Sequence, residues 1–416
     1  MEKTTHNYSL DFLKIVAATG IVFHHYQATT GVRFENFINF KGSWFDWGYL
    51  VELFFILSGY FTYRYISVIR EGSVTLFDWW KKRALRLLPM CAISVVAFEI
   101  IILIYNSIFT QPLWNQSVSI WNTFIAAIGV QEGWSFFNPV INNSVWYISV
   151  LMLCYILFYV FTALSAKIKC NPLYFYVAVI FFGIGIRIYG IEKPFMNWQV
   201  SRGYYAFFFG LLLAAYISKY GIRKKEIVIS SILTVGLILV FIFCPQYATQ
   251  HINFIITFLL FPSIIILFET KPAHMIFRHK IWETISGISF EVYLWHLPLM
   301  VLWCLIRDSA NWYPNMNSVW SMMIFTLASW AVGTIMYFCL ERPITRCVTG
   351  TKKEKKGKKP KKAKKAKKEE MHSLSEETEA LNEPVDALSE EANQEIAEEA
   401  DGKLEEEPPL ENVENE

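Results

Sequence analysis

Apolar stretches long enough to cross a lipid bilayer recur ten times along the chain and limit what it can fold into. They lie at residues 10–27, 47–69, 87–105, 145–165, 173–190, 203–218, 226–244, 252–268, 284–306 and 318–340. A bilayer core needs about 20 apolar residues in helical form, and a helix satisfies its backbone hydrogen bonds within the segment. The sequence therefore predicts an all-α polytopic membrane protein with about ten transmembrane helices.

The composition supports this class and sets the end of the chain apart. The 416 residues are 54% hydrophobic and 18% charged, with a mean hydropathy of +0.31, which is more apolar than a soluble protein. Twelve lysines lie between residues 352 and 368, and an acidic segment follows them. Such a segment buries too little apolar surface to offset its chain entropy. We therefore predict a membrane domain at 1–346 and a disordered tail at 347–416.

Basic residues alternate between the connections and predict the orientation. The connections at 70–86, 166–172, 219–225 and 269–283 contain 5, 2, 4 and 3 lysines and arginines, whereas the intervening ones contain at most 2. By the positive-inside rule the basic connections face the cytoplasm, so both termini are expected there. The lysine block of the tail either attracts anionic membrane lipids or only fixes topology and solubility.

The first stretch carries Asp11, Lys14, His24 and His25, ionisable residues that are costly to bury in lipid. At about 100° per residue, Asp11, Lys14 and His25 fall on one helical stripe. Lys14 and His25 lie roughly 16 Å apart along the axis. This face is typical of the wall of a polar passage. The alternative is that the two histidines are interfacial residues at a helix end.

A basic pair precedes the third stretch in the segment KKRALRLLP. Arg83 and Arg86 are three residues apart and share one helix face at the predicted cytoplasmic end. Two guanidinium groups there are suited to charge-assisted bonds with phosphates. Ordinary positive-inside anchoring is the alternative.

Polar residues inside other apolar segments are further candidates. They include Glu52, Ser58, Tyr293 and His296, and Glu341 directly follows the tenth stretch. Ser58 and Gly59 allow another helix or a ligand to approach the backbone closely. Ser289, Tyr293 and His296 share a stripe at i, i+4 and i+7. His296 on its own is also compatible with a hydrogen-bonded core residue.

The longest connection, residues 106–144, contains no lysine or arginine and is rich in amides and aromatic residues, including Trp114 and Trp121. Aromatic rings beside amides suit a sugar-binding surface. An interfacial aromatic belt is the alternative.

Taken in order, these segments resemble the acyltransferase 3 family of integral membrane acyltransferases over residues 8 to about 346. Sequences of that family typically contain the motifs LDGLR and HH in the first helix and D-L-F-F-x-L-S-G-F in the second. The motifs that follow are R-x-x-R-x-x-P, W-x-x-x-x-E, S-Y-x-x-Y-L-x-H-x-P and a closing E-x-P. The chain has LDFLK, HH, ELFFILSGY, RALRLLP, WYISVL, SFEVYLWHLP and ERP. It departs from the pattern at Lys14 (usually arginine), Glu52 (commonly aspartate) and Leu151 (usually glutamate).

The resemblance implies transfer of an acyl group, commonly acetyl, from cytoplasmic acyl-CoA to a carbohydrate hydroxyl across the membrane. His25 matches the family's essential histidine, and Arg83 and Arg86 match the pair expected to engage CoA. In this interpretation His25 acts as general base and Glu52 orients it. Lys14 joins the arginines on the donor side.

The remaining site candidates are Asp11, Ser58, Tyr293, His296 and Glu341. Ser58 and Tyr293 are candidate donors to an oxyanion. No metal site is expected, because the seven cysteines and the histidines lack metal-ligand spacing. The expected partners are acyl-CoA, a glycan acceptor and membrane lipids, without nucleic acid, at the plasma membrane.

A non-enzymatic exporter or flippase of a polysaccharide or lipid-linked sugar is the alternative function. It would use the same polar channel, with the aromatic connection as a sugar platform. A transporter does not need a phosphate-binding pair and a base at opposite ends of one passage, and it often has repeated halves with paired broken helices. The sequence contains no such repeat, so acyl transfer is the preferred hypothesis.

Overall fold

The computed structural model describes residues 6–35, 38–42, 45–115, 118–134, 141–243 and 252–349, which form helices and loops without a β-strand. The helices are α1 (Tyr8–Thr30), α2 (Leu50–Thr62), α3 (Ile66–Arg70), α4 (Leu76–Ile108), α5 (Ile120–Ala127), α6 (Trp146–Lys167), α7 (Leu173–Tyr189), α8 (Trp198–Tyr220), α9 (Lys224–Phe243), α10 (Ile252–Ile255), α11 (Phe261–Phe268), α12 (Lys271–Ile276), α13 (Ile281–Ser309), α14 (Val319–Met336) and α15 (Arg342–Thr349). Short 3₁₀ segments, Trp47–Tyr49 and Tyr63–Tyr65, flank α2.

The described parts of all ten predicted apolar stretches are predominantly helical. Six helices in the described part of the chain are long and apolar enough to cross a membrane. They are Leu76–Ile108, Asn143–Lys167, Trp198–Tyr220, Lys224–Phe243, Ile281–Ser309 and Val319–Cys347. The class of helical membrane protein is thus confirmed, and the count of ten spans stays a prediction. The predicted tail lies, from residue 350 onward, outside the described residues.

Local sequence signals set the ends of α1 and α4. The Asn7 side chain accepts a hydrogen bond from the Leu10 amide and caps α1, which ends at Gly31 in the left-handed conformation (φ 70°). Thr75 caps α4 in the same way. α4 therefore starts 11 residues before the predicted apolar stretch at 87–105, because its first three turns are helical but polar.

Glycines bring α2 and α8 into backbone contact. A Cβ atom added at Gly59 would collide with the Phe207 carbonyl oxygen, and one added at Gly210 would collide with that of Ile56. The expectation that Gly59 admits a neighbouring helix is therefore confirmed. This close packing positions the polar residues of α2 against α8.

α1 and α13 lie side by side and run in the same direction. Near the start of both helices, the Ser286 hydroxyl donates to Asp11 at 2.9 Å. Further along, the ring centroids of His25 and His296 are 5.0 Å apart. The polar stripe predicted on α1 therefore contacts polar residues of α13 near both of its ends.

Candidate active site

Asp11 organises a charged cluster at the start of α1. It is buried, and it accepts hydrogen bonds from Lys14 Nζ at 2.9 Å and from the Ser286 hydroxyl at 2.9 Å. His6 Nε2 lies 2.5 Å from its other oxygen. The Lys14 ammonium also lies 4.6 Å from the Phe61 ring centroid. The structure thus brings together the two charged candidates at this end of α1.

His25 lies near the other end of α1 beside a cleft of about 300 Å³. The cleft lining includes Thr29, Phe98, Trp114, Asn143 and Leu297. His25 makes no hydrogen bond to another described residue, so its ring nitrogens are open to a ligand. This environment suits a general base that must receive a substrate proton.

His296 of α13 packs against His25 and is fully buried. Its Nδ1 lies 3.2 Å from the Val292 carbonyl oxygen. Because a carbonyl only accepts, Nδ1 carries the proton and Nε2 of the neutral ring is an acceptor. Among the described residues Nε2 has no hydrogen-bond partner. Two imidazoles from different helices thus lie side by side, and of the two only His25 lines the cleft.

The His24 ring lies edge-on to that of His25, with centroids 5.1 Å apart, and its polar contacts are with the connection between α1 and α2. Its Nδ1 lies 2.8 Å from Asp46 Oδ1. Burial alone would raise the pKa of Asp46, but the hydrogen bonds from His24 and from the amides of Gly48 and Gly42 hold that pKa below its usual value. The two adjacent histidines therefore have different surroundings: His24 contacts a carboxylate, and His25 faces the cleft.

Glu52 forms a buried ion pair with Arg202 of α8. Arg202 Nε and Nη2 donate to the two carboxylate oxygens at 2.7 and 2.6 Å, and the Tyr205 hydroxyl donates at 3.3 Å. No hydrogen bond joins Glu52 to His25 in the described structure. The predicted orienting contact is therefore not formed here, because Arg202 occupies both oxygens of Glu52.

Arg202 is not among the predicted site residues, because it precedes the predicted apolar stretch at 203–218 by one residue. An arginine next to apolar sequence, on the side predicted to be extracytoplasmic, is unusual. Its position in the sequence is the signal that indicates a buried acidic partner.

A line of hydroxyl and aromatic side chains connects α2 to the histidine pair. The Ser58 hydroxyl lies 3.1 Å from that of Tyr147 of α6. The Tyr147 ring centroid is 5.7 Å from that of Tyr293, which is 6.1 Å from that of His296. The Tyr293 hydroxyl donates to the Ser144 carbonyl oxygen at 2.6 Å. Ser58 and Tyr293, the two predicted oxyanion donors, therefore both lie on this line. The Tyr293 hydroxyl proton is engaged in its hydrogen bond to Ser144.

Arg83 and Arg86 lie at the start of α4 and differ in environment. The Arg83 guanidinium lies over the Trp79 ring, 3.0 Å from its centroid, and within 5.2 Å of the centroids of Tyr65 and Tyr155. Arg86 is exposed and makes no hydrogen bond to another described residue. One arginine is thus held in place by aromatic rings, and the other is open.

Glu341 ends the π-helical segment Tyr337–Glu341 and lies next to Glu291 of α13. Glu341 also interacts electrostatically with Arg86, which in turn interacts with Lys14. These charged groups collect near the start of α1, at the opposite end from His25.

The chain resembles curated O-acetyltransferases over most of its length. It is 23% identical to the peptidoglycan O-acetyltransferase OatA of Listeria monocytogenes over 365 residues, which cover 81% of this chain and 56% of that protein. It is 24% identical to the O-acetyltransferase OatA of Staphylococcus aureus, over 81% of this chain and 57% of the relative. An O-acetyl transferase of Shigella phage Sf6 is 24% identical over 54% of this chain and 67% of its own length. The chain thus spans just over half the length of the two bacterial relatives.

No solved structure matches the chain. A family model described as an acyltransferase domain matches residues 7–338, which contain all the helices from α1 to α14 and the histidine pair. A match over this share of the sequence means that the chain belongs to the acyltransferase 3 family.

Proposed function

We propose that this membrane protein is an O-acyltransferase that moves an acyl group, acetyl in the first instance, from cytoplasmic acyl-CoA to a hydroxyl of an extracytoplasmic glycan. The observation that carries the proposal is the separation of two groups along α1. His25 faces a cleft at one end, and a cluster of cations lies at the other, roughly 16 Å away along the axis. The relatives' names supply the acyl group and the carbohydrate class of the acceptor.

The donor end is built from Arg86, Arg83 and Lys14. Arg86 is open to the phosphates of CoA, and the stacked Arg83 offers a pre-ordered guanidinium with little rotamer entropy left to lose. Lys14 is partly neutralised by Asp11, which makes it a weaker phosphate ligand than the arginines. The basic connections on this side support a cytoplasmic location for both termini.

The reaction requires one proton to leave the acceptor hydroxyl. In our proposal His25 takes that proton while the hydroxyl oxygen attacks the thioester carbonyl. The carbon–sulfur bond then breaks, and the CoA thiolate receives the proton from the His25 imidazolium. His296 Nε2 is an unpaired acceptor beside this ring, so His296 is placed to orient His25 and stabilise its protonated form.

The developing oxyanion needs a donor within the line of hydroxyl groups. The Tyr293 hydroxyl donates to the Ser144 carbonyl oxygen at 2.6 Å, whereas the Tyr147 hydroxyl makes only a long 3.5 Å bond to the Phe54 carbonyl oxygen, so we favour the Ser58–Tyr147 pair for this role. Glu52 is reassigned to positioning: its pairing with Arg202 holds α2 against α8. Glu341 and Glu291 lie on the donor side and have no assigned step.

The test is mass spectrometry of surface glycans from cells with and without the gene. O-acyl groups should disappear from a glycan whose amount is unchanged. Loss of the glycan itself would instead favour the exporter.

Labelled acetyl-CoA supplied to the cytoplasmic face of inverted vesicles should transfer its label to the lumenal glycan, and no transfer would contradict the donor assignment.

A further inference from the structure

The cleft beside His25 has an aromatic wall and a side-chain amide that makes no hydrogen bond to another described residue. Phe98 and Trp114 form the wall, with ring centroids 6.4 Å apart. Asn143 and Thr29 contribute the amide and a hydroxyl, and the described residues that line the cleft include no lysine, arginine or carboxylate. The volume of about 300 Å³ lies at the lower end of the range for small-molecule sites. The cleft thus has room for one small, neutral ring system.

Trp114 is held at the cleft in a costly backbone conformation. Its φ and ψ are 55° and 25°, in the left-handed region that bulky side chains rarely adopt. The preceding Leu113 is buried in the core, and its amide donates to the Asn106 side chain at 3.1 Å. The Trp114 side chain is nevertheless 38% exposed. The connection therefore anchors Leu113 and turns the indole of Trp114 towards the cleft.

Asn143 is positioned by the residue before it. Asn142 is buried with a φ of 40°, and its amide donates to the Ser94 hydroxyl and to the Leu294 carbonyl, both at 3.1 Å. The Ser144 hydroxyl donates back to Asn142 at 2.8 Å. Asn142 thereby ties this turn to α4 and α13. Asn143 is exposed and makes no hydrogen bond to another described residue, so its amide can both donate and accept.

We infer that Trp114 and Asn143 form the acceptor subsite, which binds one neutral pyranose ring and selects the hydroxyl presented to His25. The C–H face of a pyranose is apolar and packs on an aromatic ring, whereas its hydroxyls match an amide that both donates and accepts. This inference rests on the proposed function. It goes further by assigning acceptor recognition to the connection between α4 and α6 rather than to the transmembrane helices.

The same connection offers a matched control in Trp121 of α5. Its side chain is 66% exposed, stacks on Phe124 at 5.8 Å and does not line the cleft. It has the character of an interfacial aromatic residue. Trp114→Ala and Trp121→Ala therefore compare an indole at the cleft with one on the outer surface.

The experiment uses the full chain in nanodiscs, with chitotetraose as probe, and measures sugar binding by titration separately from turnover with acetyl-CoA. We expect Trp114→Ala to weaken tetraose binding about tenfold or more, and Trp114→Phe to stay within about threefold of wild type because it keeps a ring. Asn143→Ala should weaken binding several-fold, and Trp121→Ala should match wild type. In turnover, Trp114→Ala should raise KM for the tetraose without changing KM for acetyl-CoA.

Equal tetraose affinity in Trp114→Ala, Trp121→Ala and wild type would overturn the subsite, as would a wild-type protein that does not bind the tetraose. If the wild type binds the sugar but transfers no acetyl group, the proposed function fails. The comparison of the two tryptophans still decides the subsite in that case.

Discussion

Replacing His25 by alanine, with His24→Ala as matched control, separates a catalytic histidine from a structural one on the same helix. His25 faces the cleft and makes no hydrogen bond to another described residue. His24 Nδ1 lies 2.8 Å from Asp46 Oδ1. We expect His25→Ala to abolish acylation with little effect on folding, and His24→Ala to lower stability while keeping activity.

The magnitudes of the two effects differ. Removal of a general base costs about 10²–10⁴ in rate, equivalent to ~3–5 kcal/mol in the barrier. The His24–Asp46 pair is partly exposed on both sides, so its loss should cost only about 0.2–1 kcal/mol of folding free energy.

The stability effect of His24→Ala should also depend on pH. The pKa of Asp46 is depressed in the folded state, so the pair stabilises above the ordinary aspartate pKa and loses its effect as pH falls through the folded value. The difference in Tm between wild type and His24→Ala should therefore shrink below about pH 4. An unchanged difference in acid would show that the pair with Asp46 is not its cause.

The assay is the acyl content of released surface glycan, normalised to the amount of each variant in the membrane. His25→Gln is the second variant, because it keeps most of the side-chain volume and a polar tip but cannot act as a base. Normal acylation in both His25 variants would refute the catalytic role. A loss of activity in His24→Ala as large as in His25→Ala would show that the contrast drawn from the geometry is wrong.

Three further predictions concern the donor end, the buried ion pair and the topology. Arg86→Ala should weaken acyl-CoA use about ten- to a hundredfold, as measured by KM, and Arg83→Ala should do the same; unchanged values would leave both residues as membrane anchors. Arg202→Met should lower the free energy of unfolding by ~3–5 kcal/mol, because it leaves Glu52 buried and unpaired, and adding Glu52→Gln should recover part of that loss in a thermal melt. A reporter fused after Gly350 should be active only in its cytoplasmic form; an extracytoplasmic signal would contradict the orientation.

Local properties of the chain were predictable from the sequence. Helix positions follow from the length of apolar segments, and the shared face of Asp11, Lys14 and His25 follows from the helical period. The close approach at Gly59 follows from the absence of a side chain. Each of these depends on residues within one segment, so no knowledge of the packing was needed.

Pairings between segments were not predictable in the same way. Glu52 and Arg202 are 150 residues apart, and Asp11 and Ser286 are 275 apart. Which helices become neighbours depends on how all the helix surfaces pack, and hydropathy carries no information about that. The assignment of Glu52 to His25 used proximity in depth alone, and in the structure the carboxylate pairs with Arg202 instead.

The packing of the passage also bears on the choice between transferase and exporter. An exporter must open a path for a whole saccharide, including its bulky hydrated rings. Along the predicted polar passage, Ser58, Tyr147 and Tyr293 are joined by ring and hydroxyl contacts, and α2 is held to α8 by backbone contact at Gly59. Opening it would expose the buried Glu52–Arg202 pair between those two helices. A thin, flexible pantetheine arm needs far less widening than a sugar chain, so this packing favours acyl transfer to a glycan that stays outside.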